Sequence, residues 1–215
     1  MENQYVIIGG GIAGTTAAGQ LRKFDAEASI TLIDREHHRL YSRVLLEHYV
    51  TGKVERDRLF LKKEGWYHDQ RIDFQSGVEV EEIDTKNKFV RTTEGRELPY
   101  DKLLITVGGE VNLLEEDRPG VSYMRTLDDA DQLLQLAARL NKKQDRAAIV
   151  RGGGFIAVEY TNFFVHRGFA TSIVLRGEQF MSSVLLKELS DVLEAACRDH
   201  GVTIIKNEPG FALIG

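Results

Sequence analysis

The residues best placed to do chemistry are glycines. Gly9, Gly11 and Gly14 stand in Gly-x-Gly-x-x-Gly spacing directly after the apolar run Tyr5-Val6-Ile7-Ile8, and each removes a side chain for its own reason. Gly9 permits a tight turn off a strand, Gly11 lets backbone N–H groups approach a pyrophosphate, and Gly14 lets a helix pack closely on the strand. The helix N-terminus then turns its unsatisfied donors and partial positive charge toward the phosphates. About 20 residues past the last glycine, Asp34 closes a second apolar run, where an acid hydrogen-bonds a ribose. The spacing predicts a dinucleotide site. The alternative, a glycine-rich turn with an Asp cap, does not require this context.

A second set repeats the first. Gly152, Gly154 and Ala157 form Gly-x-Gly-x-x-Ala after the strand-like Ala147–Val150, with a helix expected over 158–167 and a strand over 171–175. Two such units about 140 residues apart imply two different nucleotides, because each supplies its own phosphate-binding helix. Electron traffic between two nucleotides is the chemistry this suggests. The remaining candidates are plainer. Arg35 opens a cationic loop running to Arg43, which suits an anionic cofactor. His37 and His38 lack the i, i+4 spacing of a metal pair and read as solvated loop residues. Cys197 is the single cysteine, so no intrachain disulfide and no cysteine-based zinc or iron–sulfur site fits, and no metal is expected.

The elements that position these residues follow from periodicity and turn signals. The opening helix is expected over 15–24 and the second strand over 29–33. Short helices follow over 44–49 and 59–69, with Trp66 in the core. Strands are expected over 72–75, 78–83, 88–93 and 97–98, with Glu94-Gly95 as a hairpin turn, and a buried strand runs over 102–107 into Gly108-Gly109. An acidic connector follows over 110–121, then a helix capped by Thr126 or Asp128 that stops near Asn141. The chain closes with a helix over 185–200, a strand over 202–205 and the start of another strand at 211–215. The fold class is therefore α/β: two Rossmann-like units, the first carrying a β-rich insertion. The domains are placed at 1–112 and 113–215.

The formal net charge of −5, from 28 basic and 33 acidic residues without basic blocks, makes neither nucleic acid nor an anionic membrane surface an expected partner. No apolar run approaches about 18 residues, and the first strand follows the N-terminus too closely for a secretion signal. The expectation is a cytoplasmic protein.

The arrangement resembles the flavoproteins of the pyridine nucleotide-disulfide oxidoreductase superfamily, in which an FAD domain is interrupted by an NAD(P) domain. Within it, the chain is most similar to the rubredoxin and ferredoxin reductases and to the flavin portion of assimilatory nitrite reductase. The residues carrying the likeness are Ile7 to Gly14 with Asp34, Tyr41-Ser42-Arg43, Trp66-Tyr67, Tyr100 to Ile105, Tyr123 to Asp129 and Gly152 to Glu159. The resemblance implies that Gly9, Gly11 and Gly14 hold the FAD pyrophosphate and Asp34 the adenosine ribose. It puts Arg35, Arg43, Thr106 and Gly108 by that cofactor and gives the Val80 backbone to the adenine. It gives NAD(P) to Gly152, Gly154 and Ala157, and sets Glu159 near flavin and nicotinamide, or else in an interface ion pair. Arg43 and Glu159 are the residues expected to tune the flavin.

Departures from the pattern sharpen the reading. The cysteines of the disulfide reductases, NADH oxidases and CoA-disulfide reductases are absent, and Cys197 is expected to be a packed thiol. The lysine that often follows the arginine motif gives way to Glu47-His48, and the usual Ala-Thr-Gly is Thr106-Val107-Gly108. Arg151 replaces an apolar strand end, a costly place for a charge unless it is paired. Leu175-Arg176 replaces the acid that selects NAD, so Arg176 either meets a 2′-phosphate or is an exposed loop residue. The rest of the NAD(P) domain, the second FAD segment and the C-terminal interface domain of relatives do not follow, so a fragment is expected; a chain completed by another chain or segment and a degenerate relative are the alternatives.

The activity implied is hydride transfer from nicotinamide C4 to flavin N5, with electrons passed on to a protein or small acceptor. A non-catalytic FAD- or ADP-binding module and an NAD(P)H:quinone dehydrogenase are the alternatives.

Overall fold

In the computed structural model, residues 3–113, 119–140 and 146–209 are described. Along the chain run strand β1 (Gln4–Ile8), helix α1 (Ile12–Phe24), strand β2 (Ser29–Asp34), and the short helices α2 (Leu46–Val50) and α3 (Trp66–Asp69). Strands β3 (Asp73–Ser76), β4 (Val80–Asp84), β5 (Phe89–Thr92), β6 (Glu97–Pro99) and β7 (Lys102–Ile105) follow. Then come α4 (Leu127–Leu140), β8 (Ala147–Arg151), α5 (Phe155–His166), β9 (Ala170–Val174), α6 (Lys187–Asp199) and β10 (Thr203–Ile205). The chain separates into two units: Met1–Arg43 with Arg56–Asn112, and Val44–Glu55 with Leu113–Gly215.

In the first unit a parallel sheet has the order β3-β2-β1-β7. Strand β1 reads as a continuous apolar run because both of its faces are covered, and alternation sends its residues to opposite sides. Ile7 joins Ala18, Ile30, Leu32, Tyr67 and Ile72 on one face. Val6 and Ile8 join Ile33, Val90, Leu98 and Tyr100 on the other. The second cluster places the antiparallel sheet β4-β5-β6 against the parallel one. Its β5–β6 turn closes with Gly95 N–H donating to Thr92 O at 2.8 Å.

In the second unit the parallel order is β10-β9-β8, with α5 packed on β8 and β9 and the short α2 packed on α4 and α5. Helix α4 opens with a reciprocal cap. Thr126 Oγ1 accepts from Asp129 N at 3.1 Å while Asp129 Oδ2 accepts from Thr126 N at 2.8 Å, so of the two expected caps Thr126 is the one used. No helix among the described residues is long and apolar enough to cross a membrane.

Several expectations are corrected. The helix over 59–69 does not form: a 3-10 turn over Arg56–Leu59 and α3 are separate pieces, because Gly65 at φ 79° takes the left-handed conformation that a helix interior excludes. Helices α1 and α5 begin three residues earlier than periodicity suggests, at Ile12 and Phe155, since the residues between the last two motif positions are already helical. The strand over 102–107 is shorter and is not buried; β7 ends its sheet, and Ile105 is 55% exposed. Arg151 is exposed too, and one guanidinium nitrogen reaches Pro209 O at 3.3 Å, so the cost of a buried charge does not arise. Cys197 is buried, as a packed thiol should be. The strand expected at 211–215 lies outside the described residues.

Candidate functional site

The glycine turn of the first unit is built as its spacing requires. Gly9 has φ +104°, and its N–H donates to Ile33 O at 2.8 Å, which stitches the turn to the end of β2. A side chain at Gly14 would strike the Gly9 carbonyl oxygen and the Thr106 hydroxyl, whereas one at Gly11 would meet nothing within 4 Å. The turn is thus packed tight on its protein side and open at Gly11. Helix α1 begins from Gly11 with no side-chain cap, so its first-turn N–H groups keep no acceptor from a capping residue. An anion with several oxygens suits that cradle, and a dinucleotide pyrophosphate fits the residues present.

Asp34 ends β2 beside this turn. Gly10, which the motif spacing leaves without a role, makes room for it: a Cβ there would lie 2.9 Å from the Asp34 Cβ and would strike its carboxylate. Burial pushes the Asp34 carboxyl above the ordinary aspartate range and the Glu36 charge adds to this, against backbone hydrogen bonds and the Arg43 charge. Thr106 donates its hydroxyl to Ile8 O and Gly9 O, both at 3.0 Å, so it braces the turn from β7's side. Gly108, at φ +75°, follows it. Val80 begins β4 and packs beside the second apolar cluster.

Arg35 and Arg43 sit differently from one another. Arg35 is ion-paired with Glu110, and both side chains are more than half exposed. Exposed pairs of this kind contribute at most about 1 kcal/mol, which leaves Arg35 free to exchange partners. Arg43 is held firmly. It donates to Glu36 Oε1 at 2.5 Å and to Tyr41 Oη at 2.9 Å, while Tyr41 donates to Glu36 Oε2 at 2.6 Å. Burial is the largest single influence on the Arg43 pKa and would lower it, but the Glu36 hydrogen bond together with the charges of Tyr41, Glu36 and Asp34 outweighs burial, and the pKa is raised. Glu36 is a residue that motif and spacing do not single out; its only signal is being the one acid in the cationic loop Arg35–Arg43.

The second unit repeats the first turn in its own terms. Gly152 has φ +125°, and its N–H donates to Val174 O at 2.9 Å, the counterpart of the Gly9–Ile33 bond. A Cβ on Gly152 would lie 3.7 Å from the Ala157 Cβ, an ordinary contact, so at this turn glycine is required by the backbone conformation and not by crowding. Gly154 opens into free space, and α5 starts from it without a side-chain cap. Arg176 is exposed just beyond β9. Glu159 lies on α5 and is partly buried; burial raises its pKa, with a further push from the Glu47 charge and an opposing pull from His48. Glu47, likewise given no role by the sequence, is 8% exposed.

The predicted residues therefore gather as two sets. Gly9, Gly11, Gly14, Asp34, Arg35, Arg43, Val80, Thr106 and Gly108 belong to the first unit, and Gly152, Gly154, Ala157, Glu159 and Arg176 to the second.

Known proteins share this plan. The ferredoxin–NAD(+) reductase component of a 3-phenylpropionate/cinnamic acid dioxygenase from Photorhabdus laumondii is 31% identical over 94% of this chain and 51% of its own length. A nitrite reductase [NAD(P)H] of Bacillus subtilis is 27% identical over all of this chain and 26% of its own, and rubredoxin reductases are among the other relatives. The crystal structure of a covalent putidaredoxin reductase–putidaredoxin complex superposes with a TM-score of 0.85 at 26% identity, covering 95% of this chain and 50% of the matched one. The chain spans about half the length of the ferredoxin and rubredoxin reductases it matches. The match to the pyridine nucleotide-disulphide oxidoreductase family itself runs over residues 3–209, and with the two glycine turns in place the conclusion is that this chain belongs to that family.

Proposed function

We propose that this chain supplies the FAD-binding and NAD(P)H-binding parts of an electron-transfer oxidoreductase that works without a redox disulfide. The observation carrying this reading is the duplicated turn: two strand–glycine–helix units of the same build, each with an uncapped helix start and each tied by one glycine N–H to the neighbouring strand. The first unit is the FAD unit, with Asp34 taking a ribose, the Val80 backbone the adenine, and Gly9, Gly11 and Gly14 the pyrophosphate. The second takes the nicotinamide nucleotide at Gly152, Gly154 and Ala157. When bound, the nicotinamide supplies a hydride and the flavin passes electrons on. The protein's own part is to orient two rings, exclude water and set local charge: Arg43, held by Glu36 and Tyr41, as a fixed cation, and Glu159 as an acid that keeps its proton to higher pH than an ordinary glutamate. The lack of a cysteine pair and the names of the ferredoxin and rubredoxin reductases among its relatives support a small electron-carrier protein as acceptor.

The test is an absorption spectrum of the purified protein, followed by anaerobic NADPH or NADH. The expected result is a yellow protein whose flavin bands bleach. A protein that stays colourless after added FAD overturns the reading in favour of a binding module that holds no flavin.

The same experiment reads the nucleotide preference. A charge-assisted hydrogen bond to a 2′-phosphate is worth roughly 1.5–3 kcal/mol. Arg176→Ala is therefore expected to raise the NADPH concentration for half-maximal bleaching at least about tenfold and to leave NADH unchanged. Equal loss for both nucleotides would remove Arg176 from the phosphate site.

A further inference from the structure

Beside α5 lies a buried charged cluster that no part of the glycine motif requires. Helix α2 is only five residues long and hides Leu46 and Val50. Between them sits Glu47, a carboxylate on an apolar face. Burying it unpaired would be expensive, and two donors and a histidine ring answer it. Asn162 Nδ2 donates to Oε1 at 2.7 Å, Lys53 Nζ lies 3.4 Å from the same oxygen, and His48 Nδ1 lies 3.0 Å from Oε2. Asn162 follows Glu159 by three residues on α5, so the two share one helix face. Glu47 thus bonds to the helix face that carries Glu159, and its charge reaches the Glu159 carboxyl, as does that of His48.

We propose that Glu47 is a positioning residue for Glu159: through Asn162 it anchors α2 on α5, and so fixes one negative and one titratable group, itself and His48, in the surroundings of the Glu159 carboxyl. The role in the reaction rests on the reading of Glu159 as the acid serving the nicotinamide. Other charges stand on the elements packed here. Strand β9 has no ionisable residue and β8 only Arg151, while α5 itself adds Tyr160 and His166. Arg167, just past α5, donates to Val50 O at 3.4 Å. Helix α4 carries Asp128, Asp129, Asp131 and Arg139; Asp129 caps that helix and Asp131 accepts from the Tyr49 hydroxyl at 2.6 Å.

The two neighbours act with opposite sign, and that makes the proposal testable. A nearby negative charge favours the protonated acid, and a nearby positive one the carboxylate. Glu47→Gln keeps the size and an acceptor for Asn162 but removes the charge, so the Glu159 titration should move to lower pH. His48→Gln should move it the other way, and Glu47→Asp should restore the wild-type midpoint in part.

The first readout is a carboxyl carbon NMR titration of Glu159 in the protein without cofactor, and the second is the pH profile of anaerobic bleaching by NAD(P)H in the flavin-loaded protein. Opposite shifts in both readouts support the proposal. A Glu159 titration that ignores both substitutions, or moves the same way in both, overturns it. Opposite shifts by NMR with an unmoved bleaching profile would instead remove Glu159 from the reaction. Should Glu47→Gln fail to fold, His48→Gln, at a side chain 48% exposed, still reports the sign.

Discussion

Gly11→Ala is expected to leave the protein folded and to cost it at least about tenfold in FAD affinity, some 1.4 kcal/mol. The backbone at Gly11, φ −66° and ψ −170°, is one that alanine adopts without strain, and the added methyl meets nothing within 4 Å. Stability should therefore change little, or rise by roughly 0.4–1 kcal/mol through the less flexible unfolded chain. The open space the methyl would enter is the space the pyrophosphate needs. Gly14→Ala is the control with the opposite profile. In an ordinary helix interior that change gains about 1 kcal/mol, but here the methyl strikes the Gly9 carbonyl, a backbone atom that cannot swing away, and the Thr106 hydroxyl that braces the turn. Overpacking of this sort costs roughly 1–3 kcal/mol, so the denaturation midpoint should drop before any cofactor is added. The measurements are urea midpoints of the cofactor-free proteins and FAD titrations followed by fluorescence quenching. If Gly11→Ala binds FAD as tightly as wild type, the cradle assigned to the pyrophosphate is wrong.

These two positions also mark what the sequence makes legible. A strand running into a glycine turn and then a helix is written in residue types, because glycine is the one residue that removes its own Cβ; hence Gly9–Gly14 and Gly152–Ala157 can be read from type and spacing alone. Boundaries are less legible. Ile12 and Phe155 look like loop residues by periodicity, yet the turn feeds directly into helix. Gly65 splits a helical pattern that composition alone would continue. The exposure of Ile105 on β7 cannot be read at all, since a continuous apolar run reports that both faces can be covered and not what covers them. Least visible are the polar partners. Nothing local connects Glu47 with Asn162, 115 residues away, and Glu36 is one acid in a polar loop until Tyr41 and Arg43 turn back onto it. Side chains that act by holding other side chains leave no spacing rule behind.

Asp34→Asn separates the demands of folding from those of binding, and it is expected to move them in opposite directions. The Asp34 carboxyl is pushed above the ordinary aspartate range chiefly by burial. For an acid whose pKa is higher folded than unfolded, the sign is a cost: the native state prefers the proton, so the ionised group destabilises the fold above the folded pKa. That cost fades as pH falls toward the unfolded value of about 3.9. Asparagine removes it while keeping the side-chain oxygen that faces Glu36 N at 3.3 Å. The cofactor-free Asp34→Asn protein should therefore show a higher urea midpoint than wild type at pH 7, with the gap closing as the pH is lowered to about 4. In FAD binding the change should act the other way. A ribose hydroxyl donating to a carboxylate forms a charge-assisted bond, stronger than one to an amide oxygen, so affinity should fall about tenfold, a difference of some 1.4 kcal/mol. Because bound ligand itself stabilises the native state, the two effects must be measured apart, with and without cofactor. A gap in midpoint that does not depend on pH would place the Asp34 charge in solvent rather than in the turn. A variant that gained stability yet bound FAD unchanged would show that the acid at the end of β2 is not the ribose ligand, and the site would have to be redrawn around the phosphates alone.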